Sequence, residues 1–154
     1  MLAKGTVAAF ALAMAAFIGD AASTKPVNSA TKTYSVPLSG QGAMYSREVP
    51  GPAGDSDGSG LVKLSVDLNR RQICYDFDVS ALATPLMAPI HKAPLKRGGP
   101  SVVTLFTGPG AEMQDCLVWT EKWLAAIVAN PSGFYVTLYT VEYPDGAVRG
   151  QLIG

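Results

Sequence analysis

Between residues 61 and 80 the chain alternates strictly between apolar and polar positions. Val62, Leu64, Val66 and Leu68 share one side, and Lys63, Ser65 and Asp67 share the other. After a turn at Asn69, Arg70 and Arg71, the residues Ile73, Tyr75, Phe77 and Val79 again share a side, opposite Gln72, Cys74, Asp76 and Asp78. A period of two is that of a strand, whose successive side chains point to opposite faces. Residues 61–68 and 72–80 therefore read as a hairpin with one buried and one wetter face.

The same reasoning places a first strand at 33–39 and a second candidate at 43–48, followed by a loop over 49–60 rich in Gly and Pro. Residues 81–100 hold four prolines and read as a long connection with one short extended piece at 87–91. The β-branched run 101–107 is a strand, and 108–115 a loop. Thr120 is placed to cap a short helix over 121–129, with Trp123, Leu124 and Ile127 as its inward stripe. The run 134–143 (FYVTLYTVEY) is a long strand with Tyr135, Tyr139 and Tyr143 on one face, read as sheet packing in preference to a recognition surface. Pro144, Asp145 and Gly146 turn the chain into a last strand at 147–153. The expectation is an all-β fold, an antiparallel β-sandwich of seven or eight strands with one short helix near 119–129.

Composition narrows the function classes. The 154 residues carry 12 Lys and Arg against 12 Asp and Glu, so the formal net charge is zero. A neutral chain has no basic footprint for nucleic acid or for an anionic membrane surface. Apolar residues make up 48%, too many for a wholly disordered chain. A single histidine and two cysteines leave little material for multi-ligand metal or His-based chemistry. Neither a Gly-x-Ser-x-Gly elbow, nor a dinucleotide or phosphate loop, nor a Cys-x-x-Cys pair occurs.

The N-terminus reads as an export signal. Lys4 gives a small positive start, and 7–19 is an apolar run too short to span a bilayer but suited to a signal peptide. Gly19 and Ala21 fit a cleavage site, so 1–21 is the expected signal, 22–32 a flexible lead-in, and 33–154 the folded domain. The alternative is an uncut N-terminal anchor. No other stretch is long and apolar enough for a span. Localisation is therefore expected to be periplasmic, extracellular or at the cell surface. In an oxidising compartment Cys74 and Cys116 pair most simply with each other, the alternative being two unrelated buried thiols.

Candidate ligands are few. His91, with Met87 four residues before it as a soft thioether, is the only set for a transition metal, against the plainer reading of a satisfied polar residue at a sheet edge. Asp55 and Asp57 resemble the start of a calcium loop, but Val66 stands where its bidentate Glu would be, and a turn closed by an Asp side chain accounts for them better. Asp76 and Asp78 share a strand face, with no sign of a cleft around them.

The strings VPGPAGDSDGSGLVKLSVD, QICYDFDVS, PIHKAP, SVVTLFT and above all ANPSGFYVTLYTVEYPDGAVRGQL resemble the CHRD domain, a family named for chordin and common in exported bacterial proteins. The resemblance covers residues 34–153. It implies an Ig-like β-sandwich similar in layout to copper–zinc superoxide dismutase. Arg149, in VRGQL, falls in the family's strongest motif, where pairing with Glu142 or Asp78 would fix the register of the last strands. Relatives often carry histidines where this chain has Pro89 and Tyr139, so any metal site of the family looks emptied here. The resulting expectation is an exported, non-enzymatic protein without cofactor. It would have a structural, adhesive or interaction role, binding a protein partner or itself through edge strands, the first strand among them. The alternative is a periplasmic copper- or zinc-binding protein with a degenerate dismutase-like site.

Overall fold

The computed structural model describes residues 31–43 and 54–154. It contains eight strands and one α-helix: β1 (Thr31–Ser39), β2 (Ser59–Asp67), β3 (Gln72–Ser80), β4 (Met87–Lys92), β5 (Ser101–Thr107), β6 (Gln114–Val118), α1 (Glu121–Ala129), β7 (Phe134–Leu138) and β8 (Val148–Gln151). All neighbours are antiparallel, in the order β5-β4-β7-β8-β1-β2-β3-β6. The alternation of β2 and β3 is borne out. Val62 pairs with Phe77 and Leu64 with Tyr75, and all four are buried. Across β1 the register continues through Val36 and Tyr34 into one core.

The sheet is nearly closed. Phe106 of edge strand β5 lies against Tyr75 and Phe77 of β3, with ring centroids 5.9 and 5.8 Å apart. Just beyond β6, the Trp119 indole N–H donates to the Val102 carbonyl of β5 at 2.9 Å, joining the two ends of the sheet. Leu124 and Ile127 of α1 are fully buried in the same core. Burying a side chain of that size stabilises by about 1.5–3 kcal/mol, so the two anchor the helix.

Several expectations are corrected. The first strand is not an edge: β1 pairs with β2 along its whole length and meets β8 at Ser39–Arg149. It begins at Thr31, two residues into the expected lead-in. The edges are β5 and β6, and β6 lies partly in the segment read as a loop. Its exposure explains the miss, since Gln114, Asp115, Cys116 and Val118 are all exposed and no apolar alternation marks it. Thr120 occupies the N-cap position without a side-chain cap; its carbonyl accepts the Trp123 and Leu124 N–H groups instead. Trp123 is only half-buried, with the Lys92 and Lys122 ammonium groups over its ring. The strand expected over 134–143 ends at Leu138, so Tyr143 shares no strand face with Tyr135. Ala43 lies in a bend; residues 44–48 of the second candidate strand fall outside the described residues, as do the signal segment and most of the lead-in.

Candidate functional site

His91 and its neighbours form a half-buried polar cluster. Strand β4 carries His91 opposite Tyr135 of β7. The imidazole stacks on the Tyr135 ring, with centroids 4.8 Å apart and planes 7° from parallel. On the same ring sits the Arg149 guanidinium, its carbon 3.4 Å from the centroid. Nδ1 of His91 lies 2.9 Å from the Gly99 carbonyl, and Nε2 lies 3.0 Å from the Tyr139 hydroxyl. A carbonyl only accepts, so Nδ1 carries the proton; in the neutral ring Nε2 then accepts from Tyr139. Burial depresses the His91 pKa, outweighing the Gly99 bond that raises it, and Arg149 lowers it further. The ring is neutral at pH 7. Burial, with the fields of Tyr135 and Asp145, holds the Tyr139 phenol above its ordinary range, so it too is neutral.

These groups line a cleft of about 200 Å³ with Ala43, Gly98, Thr137 and Asp145. Gly99 is required there. Its carbonyl takes the His91 proton and its N–H donates to the Tyr135 hydroxyl at 3.3 Å, while an added Cβ would strike the Lys92 carbonyl oxygen. Arg149, 4% exposed, donates from Nη1 to the Arg97 carbonyl at 2.9 Å, and from Nη2 to the Pro94 carbonyl and the Gln151 side chain. Gln151 reaches the Ala93, Ser132 and Phe134 carbonyls. Together they fasten the segment from Ala93 to Gly99 over the sheet.

The CHRD domain family model matches residues 34–152, with this cleft inside the match. The chain belongs to the CHRD domain family. No curated protein and no solved structure matches it. In this CHRD domain the phenol of Tyr139, where the resemblance sets a histidine, donates to the one imidazole that remains. Pro89 is buried in β4, between two shifts of register. Those shifts also explain why Met87 and His91 do not share a site. Ala88, Pro89 and Ile90 are all buried, so the alternation that would align positions four apart is broken. Met87 is tied to Tyr139 through the backbone only, and it does not line the cleft. With both imidazole nitrogens engaged, the residues present do not fit a transition-metal site. Among the described residues no three His, Cys, Asp or Glu side chains gather as a possible metal-holding group.

The remaining candidates fall elsewhere. Oδ1 of Asp55 accepts from the Asp57 and Gly58 N–H groups, which is the turn favoured on sequence grounds. Glu142 does not reach Arg149. Its charge acts instead, with those of Asp55 and Asp57, on the half-buried Tyr143, whose phenol is raised chiefly by Asp55. Arg149 is held by carbonyls and an aromatic ring, and not by the carboxylate expected of it. Cys74 and Cys116 are bonded, with Cα atoms 3.9 Å apart. They face each other across β3 and β6, so the bridge ties an edge strand to the sheet and not the helix.

The bridge lies in the larger of the two described depressions, about 510 Å³, on the outer face of β1, β2, β3 and β6. No motif in the sequence marks this surface. Register builds it from two rows running across the strands. One row, Thr33–Ser65–Cys74–Cys116, is short-chained; the next, Ser35–Lys63–Asp76–Gln114, carries three long side chains. The polar half of the alternation could have located it, once the strand order was known.

Proposed function

We propose that this CHRD domain is an exported, non-enzymatic structural protein that acts by associating with a second copy of itself through the outer face of β1, β2, β3 and β6. The observation that carries the reading is the furrow of short side chains beside a ridge of long ones. A two-fold axis lying across the strands, between the two rows, seats the ridge of each copy in the furrow of the other. Lys63 then meets Ser65 of the second copy and lies diagonally near its Asp76. Three strands of nine residues and one of five, at about 4.8 Å spacing and about 3.3 Å per residue, give about 510 Å² per copy. That is the low end for specific interfaces, so the association is weak and reversible, and suits a role built from many contacts.

The edge strands serve this role less well. The Asp115 carboxylate accepts the Cys116 N–H at 2.7 Å on β6, and Trp119 covers the Val102 carbonyl on β5. Both are guards of the kind that discourages strand addition. The engagement of both His91 nitrogens, and of Arg149 by three acceptors, supports a non-catalytic reading of the cleft. Export, by cleavage after Ala21, and an Ig-like, dismutase-like layout of the sheet belong to the same reading.

Sedimentation velocity of residues 22–154 tests it. The expected result is a monomer–dimer equilibrium in the micromolar range, shifted to monomer by Ser65→Lys, which fills the furrow. A wild-type protein that stays monomeric at about 1 mM, beyond any affinity worth about 4 kcal/mol, would overturn the proposal.

A further inference from the structure

The disulfide is unusual in where it lies. Cys116 is exposed and Cys74 half-buried, on the floor of an open furrow and not under a loop or helix. Exposed disulfides are the ones that exchange with thiols, because the attacking thiolate can reach a sulfur without unfolding. β6, which the bond holds, is an edge strand paired only with β3. The ionisable groups lining the furrow are Lys63, Asp76, Asp115, Tyr34 and Tyr75, and burial raises the Tyr34 phenol, which stays neutral. The Tyr75 phenol is raised, first by burial and then by Asp115 and Glu112, and stays neutral. Two carboxylates against one ammonium make the approach to the bond net negative.

We propose that Cys74–Cys116 is a thiol–disulfide exchange site of the folded protein. Its substrate class is a dithiol reductant whose attacking thiol has cationic surroundings, and reduction releases β6 from β3. The reductant's thiolate attacks Sγ of Cys116, the more exposed residue of the pair, and the S–S bond breaks with its electron pair leaving on Sγ of Cys74, which takes up a proton. The second thiol of the reductant then attacks the mixed disulfide, freeing Cys116 as a thiol. Two electrons and two protons reach the protein, and the dithiol becomes a disulfide. The inference does not rest on self-association, which would cover the furrow and slow the exchange.

The test uses native residues 22–154 at submicromolar concentration, where the proposed dimer is dissociated. Cysteamine, a cationic thiol, is compared with 2-mercaptoethanesulfonate, an anionic one. Each rate is normalised to that thiol's reaction with a neutral small disulfide. Reduction is followed by alkylation and intact mass, with near-ultraviolet circular dichroism reporting that the fold persists. The expected result is a rate linear in thiol, about tenfold faster for cysteamine at low salt. That preference should shrink in Asp76→Asn and Asp115→Asn. Hydrogen exchange at 114–118 should rise at least about tenfold after reduction. A rate that saturates with thiol at the unfolding rate, or reduction only in urea, would overturn the site. Equal normalised rates would overturn the cationic partner, and unchanged exchange at 114–118 would overturn the release of β6. A dimer that fails to form at high concentration, with exchange as described, would count against self-association alone.

Discussion

A second proton on His91 must take the lone pair that now accepts from Tyr139, in a half-buried place beside the Arg149 guanidinium. The folded-state pKa therefore lies below the ordinary 6.5. A depressed pKa means that the unfolded chain binds the proton first. The stabilising contribution is complete above about pH 6.5 and is lost as the pH falls through the folded value. Thermal midpoints measured from pH 7.5 to 5 should fall in the wild type, and fall less in His91→Gln. Parallel curves would show that another group sets the acid limb. Arg149 makes a second prediction. Lys cannot span the Pro94 and Arg97 carbonyls as a fork, nor lie flat on Tyr135, so Arg149→Lys should cost about 2–3 kcal/mol, read as a lower urea midpoint. The place of Arg149 in a long matching string was legible in the sequence. Its partners were not, because they are carbonyls more than fifty residues away, and a backbone oxygen leaves no mark in a sequence.

Strands with one buried face announce themselves, and strands that merely finish a sheet do not. β2, β3 and β5 stand out because water on one side and core on the other impose the period of two, or a β-branched run. β6 has one inward residue of note, Leu117, and is held by the register of β3 and by the disulfide, neither of which is a local property. The helix was legible from its stripe, since Leu124 and Ile127 are three apart and both buried. The closure of the sheet was not, because it depends on contacts between distant residues, the Trp119–Val102 bond and the packing of Phe106 on Tyr75 and Phe77. Trp119→Phe keeps most of the ring and removes that donor. It should lower stability by about 1 kcal/mol and speed hydrogen exchange at 101–107. An unchanged stability and exchange pattern would mean that packing alone, through Phe106, Tyr75 and Phe77, closes the sheet.

At the scale of the whole molecule, zero net charge leaves no long-range repulsion between copies, so short-range fit decides whether they associate. In the proposed dimer the contacts of Lys63 and Asp76 lie at an open surface and are screened by salt. Raising salt from about 0.05 to 0.5 M should weaken the dimer several-fold in sedimentation experiments, where a purely apolar interface would strengthen or hold. The sequence by itself determined the all-β class, the family, the helix at 121–129 and the pairing of the two cysteines. Each follows from a periodicity, a long string or a count, and these are properties of the chain. Tertiary structure alone decided that β1 is interior, that Met87 and His91 part company, and that Asp55 and Asp57 serve a turn. It also decided that a row of short side chains from four strands becomes a furrow. Those depend on strand order, register shifts and bonds between distant residues, which no local pattern encodes.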